Sequence, residues 1–121
     1  MANLVKTFDY GKNQKQIMIG QDSYYIALPI VLSGDANATL YAGQPLTGDI
    51  EDRDTAFTAS TSSAKGILLH DVVLDADGKG NGTLVLAGCV DLLKLEDEVV
   101  TAIDTAKADL TRIIFVKGSA I

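Results

Sequence analysis

The chain has one cysteine, one histidine and no tryptophan. A lone cysteine, Cys89, leaves no intrachain disulfide, which excludes a small secreted disulfide scaffold. With only His70 beside it, a zinc site built on Cys and His ligands is not expected. Long hydrophobic runs are also missing: none approaches the roughly 20 residues of a membrane-spanning helix. The opening residues, Met1 to Lys6, are not followed by an apolar stretch, so no signal peptide is expected and the chain is expected to fold in a cytoplasm.

Basic charge is the next scarcity. Ten Lys and Arg stand against sixteen Asp and Glu, a net charge of −6. A general nucleic-acid binder carries a basic patch, so that class is set aside. The acidic balance suits a soluble, self-repelling monomer or a partner with basic patches. What the chain does have is apolar content. At 121 residues and 47% hydrophobic it can bury one core without metal or disulfide staples. No repeat or linker marks a second domain. The expected organisation is an arm, 1–20, followed by a single β-rich domain, 21–121.

The arm differs from the rest in composition, holding Lys6, Lys12 and Lys15 against Asp9. Two readings stand side by side: a disordered terminus, or an arm that orders on a partner by adding a strand to a sheet edge. Gln16 to Ile19 has room for a short strand. From 23 to 33, Tyr24, Ile26, Leu28, Ile30 and Leu32 alternate with a more mixed set, which predicts a half-buried strand. Pro29 has no N–H to donate, so that strand belongs at an edge or a bulge. Short strands are expected at Thr39–Ala42, Leu46–Gly48 and Thr55–Thr58. Between the last two, Asp49, Glu51, Asp52 and Asp54 surround Arg53 in a solvated turn. Ala59 to Ala64 is a loop of small polar residues, suited to lie against a neighbouring surface.

The centre of the chain is an expected hairpin. Gly66 to Leu74 reads as one strand, apolar on both faces and therefore covered on both sides. Asp75 to Asn81 reads as a tight loop, and Gly82 to Leu93 as the returning strand. Leu84, Leu86, Val90 and Leu92 share a face there, interrupted by Gly88, which marks a bulge or a close backbone approach. Residues 96–109 form the one expected helix. Acids crowd its first turn, and Val99, Ala102, Ile103, Ala106 and Leu110 recur at three- and four-residue steps. Arg112 to Lys117 closes the chain as a strand.

No constellation rises to a catalytic site. His70 and Asp71, as neighbours in a strand, point to opposite faces and make no dyad; His70 reads as a core or interface histidine. Asp75-Ala76-Asp77-Gly78-Lys79-Gly80 partly imitates a calcium loop, but Lys79 and Leu86 occupy two of its ligand positions, and a hairpin turn accounts for the same residues. Cys89 reads as a small apolar residue. Ser60, Ser62 and Ser63 lack the context of a nucleophile elbow.

Several segments, taken in order, resemble the phage head-decoration (capsid cement) proteins. These include the lambda-type decoration protein and the capsid-attaching base of head-fibre proteins in phages of Gram-positive hosts. The segments are Tyr25 to Leu32, Ala42 to Asp49, Ala64 to Val72, Gly82 to Leu92, and the helix with Arg112 to Lys117. The resemblance implies an α+β, mainly β, β-tulip-like fold with one helix in the C-terminal half, no enzymatic activity and no cofactor. It also implies a homotrimer seated on the major capsid protein at the outer surface of the virion head, made in the host cytoplasm, with no nucleic-acid or membrane partner. Such a protein stabilises the shell against internal DNA pressure, with or without a head fibre above it. The arm then touches the shell, and Leu4, Val5, Lys6, Phe8 and Tyr10 are the expected contacts. Thr61, Ser62 and Ser63 are the expected contacts to a trimer neighbour or to the shell.

Two other functions stay open on sequence grounds. A virion-displayed carbohydrate- or receptor-binding module needs an exposed aromatic cluster, and only Tyr10, Tyr24, Tyr25 and Tyr41 are available for it beside three phenylalanines. A small hydrolase using His70 needs a second catalytic partner that the sequence does not supply.

Overall fold

The computed structural model describes residues 17–19 and 25–117, and the fold is α+β, mainly β, with antiparallel sheets and one α-helix. The strands are β1 (Ile26–Ser33), β2 (Thr39–Leu40), β3 (Pro45–Thr47), β4 (Thr58–Ala59), β5 (Gly66–Leu68), β6 (Val72–Val73), β7 (Lys79–Asp91) and β8 (Ile113–Val116). A 3-10 turn, Leu92–Lys94, leads into α1, Asp97–Ala106. The main sheet runs β1-β7-β5-β3-β4, all antiparallel neighbours, and β8 joins β7 in parallel. β2 and β6 form a separate two-stranded ribbon.

β7 is the spine. Its first half pairs with β1 from Ser33↔Lys79 to Ile26↔Ala87, and with β5 at Ile67↔Val85 and Leu68↔Leu84. Because successive strand residues face opposite ways, these pairs split the core into two layers. Ile67 and Val85 join Val99, Ile103, Ala106 and Leu110 of the helix side. Leu68 and Leu84 join Ile30, Leu32, Leu46, Phe57 and Leu74 on the other side. Each such apolar side chain contributes about 1.5–3 kcal/mol on burial, so the two layers hold β5 from both faces. Gly66–Leu68 is buried throughout, as expected of a strand apolar on both faces.

A bulge between Ile26 and Ala27 shifts the register against β7. The bulge changes which side β7 presents: Leu84 and Leu86 belong to the second layer, whereas Val90 and Leu92 belong to the helix side. The expected shared face of these four residues is therefore corrected, because an extra residue inverts strand alternation. Past the bulge β7 takes new partners. On one edge Met18 bridges Val90, with Ile19 N–H donating to the Cys89 carbonyl (2.9 Å) and Asp91 N–H to the Ile17 carbonyl (2.9 Å). On the other edge Gly88 to Asp91 pair with Ile113 to Val116.

The stretch Gly66 to Leu74 is not one strand. It breaks at Leu69-His70-Asp71, and Val72–Val73 leaves the main sheet to pair with β2. The break has a physical anchor: Asp71 Oδ1 accepts the Ala42 N–H at 2.8 Å, tying the bend to the chain just after β2. The turn before β7 is shorter than the expected loop, since Lys79 to Asn81 already pair with β1. Gly78 occupies it at φ +76°, and a Cβ there would lie 2.1 Å from the Gly34 carbonyl oxygen.

Other expectations hold with shifted ends. β1 lies at the sheet edge, as Pro29 requires, and Phe57 covers part of its outer side by bonding Val31 and Ser33. The helix starts after Glu96 with Asp97 and Glu98 in its first turn and ends at Ala106, three residues early, in a turn through Asp109.

Candidate functional site

Among the described residues, one exposed loop that is held in place carries residues expected to make contacts. It spans Ser60 to Ala64, between β4 and β5. Ser60 N–H donates to the Pro45 carbonyl (3.1 Å) and Lys65 N–H to the Leu46 carbonyl (2.8 Å), fixing both ends to β3. Within it, Ser60 Oγ accepts the Ser62 N–H at 3.0 Å. Ser63 sits at φ +56°; its N–H donates to Asp109 Oδ2 at 3.1 Å and its carbonyl accepts from Thr47 Oγ1 at 2.9 Å. Ser62 and Ser63 are exposed and Thr61 is half-buried, while Ala64 packs into the helix-side core. The loop thus presents small polar groups on a preset backbone, which lowers the ordering cost of docking against a surface.

The arm residues Leu4, Val5, Lys6, Phe8 and Tyr10 lie outside the described residues. Where the described chain begins, however, it is stitched down: Ile17 and Met18 are buried against β7. The short strand expected at Gln16 to Ile19 takes the form of a single bridge at Met18.

His70 lies in the bend rather than in a strand, so the expectation that it and Asp71 project from opposite strand faces is corrected. Asp71 lies near enough to act on the imidazole by its charge, but burial outweighs that attraction and holds the His70 pKa below its ordinary 6.5. Its Nδ1 is buried and has no hydrogen-bond partner among the described residues, and the Asp71 carboxylate is already engaged by Ala42. A base needs a third group to orient it, and none is placed to do so among the described residues.

Asp75 closes its own turn. Its Oδ1 accepts the Asp77 N–H at 2.8 Å and the Lys79 N–H at 2.9 Å. Those bonds, Lys79's first, lower its pKa. A carboxylate oxygen so occupied belongs to an Asx turn. Among the described residues no group of three or more His, Cys, Asp or Glu is placed to hold a metal ion. The acidic turn is exposed and pinned: Arg53 Nη1 donates to the Pro29 carbonyl at 2.9 Å and Asp49 Oδ1 accepts the Glu51 N–H at 3.0 Å.

Two features escaped sequence reasoning. A groove of about 630 Å³ runs between α1 and β8, lined by Val100, Ile103, Lys107, Leu110, Phe115 and Lys117 among others. It exists because β8 joins β7 in parallel beside the helix, a pairing no local pattern encodes. The second is Ile114 on β8, left 64% exposed while Ile113 and Phe115 on either side of it pack into the helix-side core; its signal was the apolar residues on both faces of Arg112 to Lys117. No protein-family model and no curated protein matches the chain.

Proposed function

We propose that this chain is a phage or prophage capsid decoration protein that binds the outer surface of the head shell as a homotrimer and stabilises it, without enzymatic activity. The observation that carries the reading is the anchoring of the chain at Ile17 to Ile19. Two backbone hydrogen bonds and two buried side chains fix this point to β7. The lysine-bearing arm, with its apolar residues Leu4, Val5 and Phe8, immediately precedes this fixed point in the sequence. The preset Ser60 to Ala64 loop supplies a second contact on the same scaffold. A trimer engaging several shell sites at once gains avidity without any one contact being strong.

The test is co-sedimentation with expanded shells of the cognate head. The full chain pellets with them. A chain lacking residues 1–14, which spares buried Ile17 and Met18, stays in the supernatant while keeping the unfolding curve of the full chain. Binding unchanged by that deletion removes the arm from the contact, and a full chain that never pellets overturns the reading.

A further inference from the structure

Among the described residues β8 pairs with β7 alone, so its other edge is open. The phase of the ladder fixes which groups lie on that edge. Gly88 N–H donates to the Arg112 carbonyl (3.2 Å), with Gly88 in register with Ile113. In a parallel pair alternate residues of a strand turn their amide and carbonyl to the partner. Ile114 and Val116 therefore serve β7, and Ile113 and Phe115 face outward. The Ile113 N–H is taken by the Leu110 carbonyl (3.2 Å). What remains at the edge is the Ile113 carbonyl and both backbone groups of Phe115, a template for an extended chain.

The groove of about 630 Å³ lies on the helix-side face of this same strand. Ile113 and Phe115 wall it from β8, and Val100, Ile103 and Leu110 from the helix and the turn after it. A strand laid beside β8 would pair with the open edge and send every second side chain toward the groove's face. The backbone template and the apolar groove thus fit one kind of occupant, an extended polypeptide.

Charge narrows its sequence. The charged residues lining the groove are Asp104, Lys107 and Lys117. Lys107 Nζ lies 3.1 Å from Asp104 Oδ1, whereas Lys117 has no carboxylate within ion-pair distance among the described residues. The groove therefore holds an uncompensated positive charge in a chain of net charge −6. A second copy of β8 is a poor match for this edge. Antiparallel pairing of the two edges brings the flanking cations, Arg112 and Lys117, toward those of the other copy, and like charges across a ladder repel.

We propose that the open edge of β8 and the groove beside it bind an extended segment of a partner protein, apolar at alternate positions and carrying an Asp or Glu for Lys117. The inference goes beyond the decoration reading and does not depend on it.

A heptapeptide display library panned on the immobilised full chain supplies the probe, and the most enriched sequence is synthesised. Enriched sequences alternate apolar residues and carry a carboxylate. At saturation the synthetic peptide slows hydrogen exchange of the Phe115 amide at least about tenfold. Methylating the peptide nitrogens of one alternate set weakens binding at least about tenfold, while methylating the other set leaves it unchanged; docking by side chains alone gives no such contrast. Lys117→Glu weakens binding at least about threefold, and Lys65→Glu, outside the groove lining, leaves it unchanged. A library without enrichment overturns the proposal. So does a peptide that binds with the Phe115 amide unprotected, or with indifference to which nitrogens are methylated or to Lys117→Glu. A free chain whose Phe115 amide is already protected overturns it too. Protection lost on dilution then gives the edge to a second copy, and protection lost on removing residues 1–14 gives it to the chain's own arm.

Discussion

A Cβ added to Gly88 would lie 2.7 Å from Tyr25 Cβ, and Gly88 holds φ at +148°. The site allows neither the atom nor the backbone angle that any other residue brings. It also lies where β7 exchanges β1 for its later partners. Gly88→Ala is expected to destabilise the fold by about 1–3 kcal/mol, read as a lower urea midpoint at unchanged slope.

Phe57 fills the second core layer and is fully buried, and its backbone also pairs with β1 through Val31 and Ser33. Phe57→Ala should cost about 3–5 kcal/mol. That is a large share of the 5–15 kcal/mol typical of a domain. Val73→Ser, at an exposed position, should stay within about 0.5 kcal/mol. Paired denaturant melts of the two variants check the contrast.

His70 makes stability depend on pH in a stated direction. Burial lowers its folded pKa below 6.5, so the unfolded chain binds the proton more readily. The stability this group contributes is complete above pH 6.5 and declines as pH falls through the lower folded value. His70→Gln should flatten that limb of the stability profile, measured as melting temperature across buffers from neutral to mildly acidic.

Asp75 behaves likewise at lower pH. Its folded pKa is depressed by the Lys79 and Asp77 amides, so its contribution is present above the ordinary carboxylate range and is lost as pH drops through the depressed value. Asp75→Ala should lower the melting temperature at neutral pH, while Asp75→Asn, which keeps an acceptor oxygen, should lower it less. Added calcium should shift neither curve, since the oxygen facing the loop is occupied.

Asp109 tests the loop without touching its surface. Asp109→Ala removes the acceptor for Ser63 N–H and is expected to weaken shell binding in the co-sedimentation assay while the melt stays close to wild type.

What could be read from the sequence followed from local pattern. Pro29 marked an edge because a missing donor has few places to go. Val99, Ile103 and Ala106 marked a helix face because their spacing suits no strand. Ile67 and Leu68 marked a strand covered on both sides because adjacent buried residues need two cores. The break at His70 was hidden, since Val72 and Leu74 continue the apolar alternation although they serve a different ribbon. It depends on Asp71 reaching Ala42, 29 residues earlier in the chain. The inversion along β7 and the parallel entry of β8 were hidden for the same reason: both are settled by distant partners. For the site, Ser60 to Ala64 was legible as a loop, but its fixation by Asp109, 46 residues from Ser63, was not.

The last four residues of β7 carry chain from both extremes of the described sequence, Met18 on one edge and Ile113 to Val116 on the other. Contacts that span so much chain close late, because their loop entropy must be overcome before they stabilise anything. Pairing at this end of the sheet is therefore expected to follow the β1–β7 and β5–β7 ladders, which a later protection of the Gly88 to Asp91 amides than of the Thr83 to Val85 amides in pulsed hydrogen exchange during refolding would show.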